Sequence, residues 1–329
     1  MLNDAKEASD IVHKVLVSDN EVYSGLAKRL RELDPACVTT IARGSSDHAA
    51  SYASYLIPLC TGRVVASIAP SLTTVLRAQL KVKNQFSIVI SQSGRSPDII
   101  NTVSNVQGGG SLCAAIVNDT ASPVAGMADV LLPQHAGVEG IAATKSVLST
   151  MTSLARMTGE WAQDKKLLMA LKDLPENLAR GFQAGLQLDR ATLKGVTNVY
   201  VLSRGLGLAA ALETALKLKE TCGVHAEAFS AAEVRHGPRE IVGGNFLVIG
   251  LTLDGSGKDD VVAACRELES QGARVMLVEP DRIPDPMDFR LAPLVTLSML
   301  YPWLAESSRA LGHDPDRPKT LKSKVIQTT

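Results

Sequence analysis

The feature that most constrains the fold of this chain is a set of short motifs that occurs twice in the same order. An apolar run precedes Arg43-Gly44, another precedes Arg204-Gly205, and the two arginines are 161 residues apart. Two more pairs of apolar runs recur at an offset of 160 or 161 residues, namely Phe86–Ile90 with Phe246–Gly250, and the runs that end at Val117 and Val278. Three matches in one order indicate two copies of one structural unit.

Each copy has the pattern of a parallel sheet covered by helices. Short runs rich in Val and Ile alternate with longer segments of helical periodicity, which is typical of parallel strands buried on both faces. The predicted fold class is α/β, with two tandem domains that each consist of a parallel sheet sandwiched by helices. We place an N-terminal helical segment at residues 1–35, the first domain at 36–165, a helical connector broken by Pro175 at 166–193, and the second domain with a C-terminal tail at 194–329.

The composition argues against several classes of function. The 34 basic and 34 acidic residues leave no net charge, whereas general nucleic-acid binders carry a basic stripe. The apolar runs fall far short of the roughly 20 residues needed to span a bilayer. The five cysteines are never spaced C-x-x-C, and the N-terminus has no signal-peptide pattern. We therefore expect a cytoplasmic protein with reduced thiols and with no nucleic-acid or membrane partner.

A serine-rich loop after the run Phe86–Ile90 is a candidate anion site. The segment Ser91–Ser96 leads into a predicted helix, in which Ser96 suits the N-cap and Pro97 the first helical position. The free N–H groups and the positive end of a helix favour an anion such as phosphate. Ordinary capping of the helix is the alternative interpretation.

Two further loops of the first copy carry hydroxyl groups. They are Arg43–Asp47 and Ala142–Lys145, and both precede a predicted helix. The matching loops of the second copy contain Leu206, Leu208 and Thr252-Leu253-Asp254, whose side chains are less suited to phosphate. We therefore expect the first domain to hold the anion.

The helix predicted from Leu208 carries candidate acid–base groups. Glu213, Lys217 and Glu220 are spaced i, i+4 and i+7, which places them on one face. A solvated Glu–Lys pair is the alternative interpretation of this face. Downstream, His236 lies in a predicted loop and is a stronger catalytic candidate than His225. A zinc site of the deaminase type also needs P-C-x-x-C, which the chain lacks, so no metal is expected.

Taken together, the motifs of both copies resemble the sugar-isomerase (SIS) family over nearly the whole chain. The resemblance is to the isomerase half of glucosamine-6-phosphate synthase and to SIS-type glucosamine-6-phosphate deaminases. It implies two tandem SIS domains. The matching motifs are Arg43-Gly44-Ser45-Ser46, Ser91-Gln92-Ser93-Gly94, Ala143-Thr144-Lys145, Ala211–Glu220, His225-Ala226-Glu227-Ala228 and His236-Gly237-Pro238.

The resemblance also implies a role for each matching residue. Glu220 would move a proton between C1 and C2, Lys217 would stabilise the developing oxyanion, and His236 would open the sugar ring from the partner subunit of a homodimer with shared active sites. The tail has Ser323 where the family has a catalytic lysine, so Lys324 or Lys322 is expected to replace it. The loop at Glu139–Ala142 is one residue shorter than in the synthase. The implied substrate and phosphate ligands are Ser45, Ser46, Ser91, Gln92, Ser93, Ser96 and Ile141.

The activity that the resemblance implies is the conversion of glucosamine 6-phosphate to fructose 6-phosphate and ammonia, without a cofactor. The chain begins at Met1-Leu2 and shows no glutaminase domain to supply ammonia, which favours the deaminating direction. Galactosamine 6-phosphate and a fructosamine 6-phosphate conjugate are alternative substrates. A non-catalytic sugar-phosphate sensor is the alternative from another class, although such regulators carry a helix-turn-helix that the residues before the first strand are too few to form.

Overall fold

The computed structural model describes residues 1–253, 257–280 and 287–318, which pack into two compact units. The first unit contains residues 10–138 and 145–172. The second contains residues 1–9, 139–144 and the described residues from 173 onward. Each unit is built on one parallel sheet.

The first sheet has the strand order β2-β1-β3-β4-β5, with every neighbouring pair parallel. Its central strand β3 is buried along its whole length, as the continuous apolar run predicts. The strands are β1 (Cys37–Ile41), β2 (Val64–Ser67), β3 (Phe86–Ser91), β4 (Leu112–Val117) and β5 (Val130–Pro133).

The second sheet has the order β7-β6-β8-β9 and is also parallel throughout. Strands β6, β8 and β9 stand at the positions that β1, β3 and β4 occupy in the first sheet. The repeat and the α/β class predicted from the sequence are therefore confirmed. The strands are β6 (Asn198–Ser203), β7 (His225–Ser230), β8 (Phe246–Leu251) and β9 (Arg274–Val278).

Helices precede, connect and cover the strands. The N-terminal segment contains the helices α1 and α2, and α11 is buried almost all around its surface. In the part of the chain that the structure describes, no helix is long and apolar enough to cross a membrane. The helices are α1 (Leu2–Val17), α2 (Asn20–Leu33), α3 (Ser45–Thr61), α4 (Ser71–Thr74), α5 (Pro97–Gly108), α6 (Pro123–Met127), α7 (Lys145–Ala162), α8 (Lys165–Leu186), α9 (Leu208–Lys217), α10 (Lys258–Ser270) and α11 (Ala292–Ala310).

The break predicted at Pro175 is wrong, because α8 continues through this residue. A proline inside a helix removes one N–H donor and one helical hydrogen bond. Leu174 and Leu178 are nonetheless buried on either side of it, and Ser9 donates its hydroxyl to the Pro175 carbonyl at 2.8 Å. Packing of the flanking side chains therefore outweighs the local cost of the proline.

Candidate active site

The serine loop of the first unit has the form that the sequence predicts. Strand β3 ends at Ser91, Ser96 is the N-cap with extended backbone, and α5 begins at Pro97. The Ser96 side chain makes no capping hydrogen bond, so capping does not account for its hydroxyl. Ser91 and Ser93 accept hydrogen bonds from the backbone N–H groups of Gly94 and Arg95, at 3.1 and 3.3 Å. Both hydroxyls shape the loop and still have a proton to donate.

Gly94 lets this loop approach the start of α6. Its φ of +61° is in the left-handed region, and its carbonyl accepts from the Val124 N–H at 3.2 Å. A Cβ at this position would lie 2.6 Å from the Ser122 Cβ and would overlap the Ser122 hydroxyl. The loop therefore needs glycine both for its backbone angle and for the close approach.

Replacing Gly94 with Ala is expected to lower the free energy of unfolding by about 2–4 kcal/mol, as the sum of backbone strain and overpacking. Gly137→Ala is the matched control, because Gly137 has a φ of +62° and no atom lies within 4 Å of the place that an added Cβ would take. The control variant should lose only about 1 kcal/mol. Urea unfolding of both variants measures the difference, and equal losses would show that the contact with Ser122 contributes nothing.

A second pair of serines lies at the neighbouring helix start. Ser45 and Ser46 are the first residues of α3, which follows β1, and both are half-buried. Because β1 and β3 are adjacent and parallel, α3 and α5 begin at the same edge of the sheet. The positive ends of two helix dipoles and the hydroxyl groups of both loops therefore lie at the same edge of the sheet. Gln92, in the same region, is half-buried, and its carbonyl accepts from the Asn118 N–H at 3.1 Å.

The equivalent loop of the second unit is filled by a leucine. A Cβ on Gly207 would overlap both the Leu253 Cδ1 atom and the Ser203 hydroxyl, so the Leu253 side chain lies directly against the loop. The Ser203 hydroxyl donates to the Leu251 carbonyl at 3.2 Å. An apolar side chain at this place offers an anion neither a charge nor a hydrogen bond. This arrangement agrees with the expectation that the first copy holds the anion.

The charged face of α9 is buried. Glu213 and Lys217 are fully buried, although a solvated Glu–Lys pair was one interpretation of their spacing. Lys217 Nζ lies 2.5 Å from Glu220 Oε2 and 3.4 Å from Glu213 Oε1. The solvated interpretation is therefore wrong, and the three side chains form one compact group.

Burial and charge act in opposite directions on Lys217. Burial by itself lowers the pKa of this amine, but the carboxylates of Glu213 and Glu220 outweigh it and raise the pKa above its ordinary value. Lys217 therefore stays an ammonium ion. Its side chain is 1% exposed, whereas that of Glu220 is 24% exposed. Glu220 is thus the member of the group that a ligand can reach.

Two members of this group were not predicted from the sequence. Tyr301, on α11, is fully buried, and burial together with the charges of Glu213 and Glu139 raises the pKa of its hydroxyl well above the ordinary value. Glu139 accepts a hydrogen bond from the Thr144 N–H at 3.0 Å. The loop Glu139–Ala142 was visible as a motif, but nothing in the apolar sequence around Tyr301 marks it. The structure also places Ile141, half-buried, in this loop.

The turn that carries Glu220 is wider than an α-helix. After Lys217 the chain forms a π-helical turn, Leu218–Cys222, which ends at Gly223 with a φ of +65°. Ser308 of α11 donates its hydroxyl to the Thr221 carbonyl at 2.7 Å, and the Thr221 hydroxyl donates to the Lys217 carbonyl at 2.8 Å. These bonds satisfy carbonyl groups that the wider turn would leave without their usual helical partners.

His236 lies exposed at the end of a short 3₁₀ helix, Glu233–His236. Contacts made by the residues on either side of His236 fix the position of the backbone here. Arg235 forms two hydrogen bonds with Glu267, at 2.9 and 2.8 Å, and the Tyr200 hydroxyl donates to the Pro238 carbonyl at 2.9 Å.

Two further candidates from the sequence are His225 and the tail lysine. His225 is exposed on β7, whereas Lys322, Ser323 and Lys324 lie outside the described residues, so the role of the tail lysine stays a prediction. The five cysteines all lie within the described residues and are thiols rather than disulfides. Over residues 1–253, 257–280 and 287–318, no cluster of three or more His, Cys, Asp or Glu side chains is arranged to hold a metal ion.

Comparison with known proteins identifies the family. The family model for the SIS domain matches residues 37–157 and 192–278. The chain belongs to the SIS domain family. This SIS chain is 30% identical, over 88% of its length, to a glutamine–fructose-6-phosphate aminotransferase (isomerizing) of Zymomonas mobilis, of which the match covers 51%. It therefore spans about half the length of the curated relatives it matches.

Solved structures agree with the SIS assignment. A protein of Silicibacter pomeroyi described as a phosphosugar isomerase is 34% identical, with a TM-score of 0.90 over 96% of the SIS chain and 99% of that protein. A glucosamine-6-phosphate deaminase of Thermotoga maritima is 21% identical, with a TM-score of 0.75 over 97% and 100% of the two chains, and at that identity it shows a shared fold alone.

Proposed function

We propose that the protein is an aminosugar-phosphate deaminase and isomerase that converts glucosamine 6-phosphate to fructose 6-phosphate and ammonia. The observation that carries the proposal is the buried group formed by α9 and the turn after it, in which the ammonium group of Lys217 lies 2.5 Å from the accessible carboxylate of Glu220. An accessible carboxylate that is held in a fixed position can exchange a proton with a bound sugar, and the adjacent ammonium can stabilise the negative charge that develops on the sugar. The serine loop of the first unit supplies the hydroxyl and N–H groups that a phosphate needs.

The proposed reaction begins with the opening of the sugar ring and ends with the release of ammonia. His236 transfers the proton of the C1 hydroxyl to the ring oxygen O5 as the ring opens to the aldehyde. Glu220 removes the proton from C2, and the negative charge that develops on O1 is stabilised by Lys217. A water molecule protonates O1 to give an enolamine, and Glu220 then returns its proton to C1 to give an iminium ion at C2. This ion gives one proton back to the hydroxide, which leaves a ketose imine at C2. Water adds to C2, the C–N bond breaks, and ammonia and fructose 6-phosphate are released.

The proposal includes the phosphate ligands and the oligomer. Ser45, Ser46, Ser91, Gln92, Ser93 and Ser96 would bind the phosphate, and Ile141 would contact the sugar. A homodimer with shared sites would bring His236 from the partner subunit, and a tail lysine, Lys324 or Lys322, would complete each site. Residues held on helix starts and on a buried helix face suit such a site, because their positions are set by the rigid parts of the fold.

An assay that couples ammonia release to a dehydrogenase tests the activity. We expect turnover of glucosamine 6-phosphate without added metal or cofactor and unchanged turnover with a chelator. Galactosamine 6-phosphate and a fructosamine 6-phosphate conjugate are run in parallel, and a higher kcat/KM for either would reassign the substrate. Binding of these compounds without ammonia release from any of them would instead identify a sugar-phosphate sensor.

A further inference from the structure

The side chain of Arg43 joins the two serine loops of the first unit. Arg43 lies in the loop after β1, two residues before α3 begins, and Asp98 is the second residue of α5. Arg43 donates from Nε and Nη2 to Asp98 Oδ2, at 2.8 and 2.7 Å. The bond therefore joins the loop before Ser45 and Ser46 to the start of α5, next to Ser96.

The two partners differ in burial. The Asp98 side chain is 4% exposed and that of Arg43 is 48% exposed. Asp98 is tied to its own helix, since Oδ1 accepts from the Ile99 N–H at 2.9 Å and its carbonyl accepts from the Thr102 hydroxyl at 2.8 Å. A carboxylate buried in this way is held in place on α5, and its buried negative charge must be compensated by a positively charged partner. Arg43 supplies that partner from the neighbouring loop.

We propose that Arg43 is a positioning residue for the phosphate site. The proposal rests on the proposed function and adds to it a group that sets the separation of the loops at 44–46 and 91–96. A phosphate that is bound by hydroxyl and N–H groups from both loops requires this separation to be held within a fraction of an ångström. Two of the three guanidinium nitrogens of Arg43 are already engaged by Asp98, so the side chain acts through Asp98 on the loops.

The second copy of the repeat provides an internal comparison. Arg204 is the counterpart of Arg43, and its Nε lies 3.7 Å from Oδ2 of Asp260, near the start of α10. There the aspartate is 57% exposed, and Leu253 fills the loop against Gly207. The short, buried form of the pair thus occurs in the copy whose loops carry the serines. Arg204 is accordingly a matched control for the removal of an arginine at the same place in the fold.

The test measures the binding of inorganic phosphate and of fructose 6-phosphate by isothermal titration calorimetry. We expect Asp98→Asn and Arg43→Gln each to weaken binding at least about fivefold. A loss of this size is smaller than the loss expected on removal of one whole charge-assisted hydrogen bond. Arg43→Lys should recover part of the loss because lysine can still pair with Asp98. Arg204→Gln should bind as the wild type does.

The Asp98→Asn variant distinguishes a positioning role of Arg43 from direct phosphate binding, because it removes a negative charge close to an anion site. If Arg43 were a direct phosphate ligand, or if charge alone mattered, this variant would bind phosphate as tightly as the wild type or more tightly, and the proposal would be overturned. Circular dichroism melts show that each variant is folded at the titration temperature, and Arg43→Lys replaces Arg43→Gln if the latter is not. Wild-type protein that fails to bind either compound would overturn the proposed function as well, whereas normal binding by Asp98→Asn would overturn only the role of Arg43.

Discussion

Replacing Glu220 with Gln is expected to lower kcat for ammonia release by about 10²–10⁴-fold, with fructose 6-phosphate still bound. Glutamine has the size of glutamate and can accept a hydrogen bond from Lys217, but it cannot take a proton from carbon. Lys217 also keeps Glu213 as a charged partner at 3.4 Å, so the fold should be maintained. Glu269→Gln, an exposed change on α10, is the control and should leave kcat unchanged. Full activity of Glu220→Gln would contradict the proposed mechanism.

The same variant tests whether the sites are shared between subunits. Glu220→Gln and His236→Ala, each inactive alone, are unfolded and refolded together. If each site takes Glu220 from one chain and His236 from the other, a mixed dimer contains one doubly damaged site and one intact site. With random pairing, about half of the dimers are mixed, so roughly a quarter of all sites should recover activity. A mixture that stays inactive, although mixed dimers are shown to have formed, would reject the shared-site arrangement.

Replacing Lys217 with Met should destabilise the protein by about 3–5 kcal/mol and abolish turnover. Methionine fills a similar volume, so the loss comes from the carboxylates of Glu213 and Glu220, which would be left without their shared cation. Lys219→Met is the control, since Lys219 is exposed two residues further along the same segment, and it should change stability by less than about 0.5 kcal/mol. Urea unfolding measures both, and similar losses would show that the buried ion group is not what stabilises this region.

A double variant and a pH series separate charge from packing. Glu213→Gln combined with Lys217→Met removes one of the two unpaired charges and should recover part of the lost stability. Because the pKa of Lys217 is raised in the folded protein, its contribution is fully present below its ordinary pKa of 10.5 and is lost as the pH rises through the raised value. The difference in stability between the wild type and Lys217→Met should therefore be constant from pH 7 to about 10 and shrink above that range. A difference that does not change up to pH 11.5 or higher would indicate packing alone.

The local sequence was sufficient for those features that depend on spacing and on residue type. The 161-residue offset of Arg43 and Arg204 predicted two copies of one unit, and the runs rich in Val and Ile predicted parallel strands, because hydrophobic periodicity reports directly on which faces are buried. Ser96 and Pro97 predicted the start of α5 for the same reason, since capping depends on neighbouring residues only. The spacing of Glu213, Lys217 and Glu220 placed them on one helix face.

Whether that face was solvated or buried depended on parts of the chain far away in sequence. Helical spacing is the same for an exposed Glu–Lys pair and for a buried one, and the burial of Lys217 depends on the packing of other segments, among them α11, which contacts α9. Pro175 also shows that local sequence is not sufficient. Its local cost predicts a break in the helix, but the packing of Leu174 and Leu178 outweighs that cost. The pair formed by Arg43 and Asp98 joins two loops that are 55 residues apart, and no periodicity marks it. The sequence by itself therefore determined the helices and strands, their order and the kinds of side chain at the strand ends. Only the tertiary structure determined which charged groups are removed from water and which groups contact them, because burial and contacts depend on the three-dimensional neighbours of a residue.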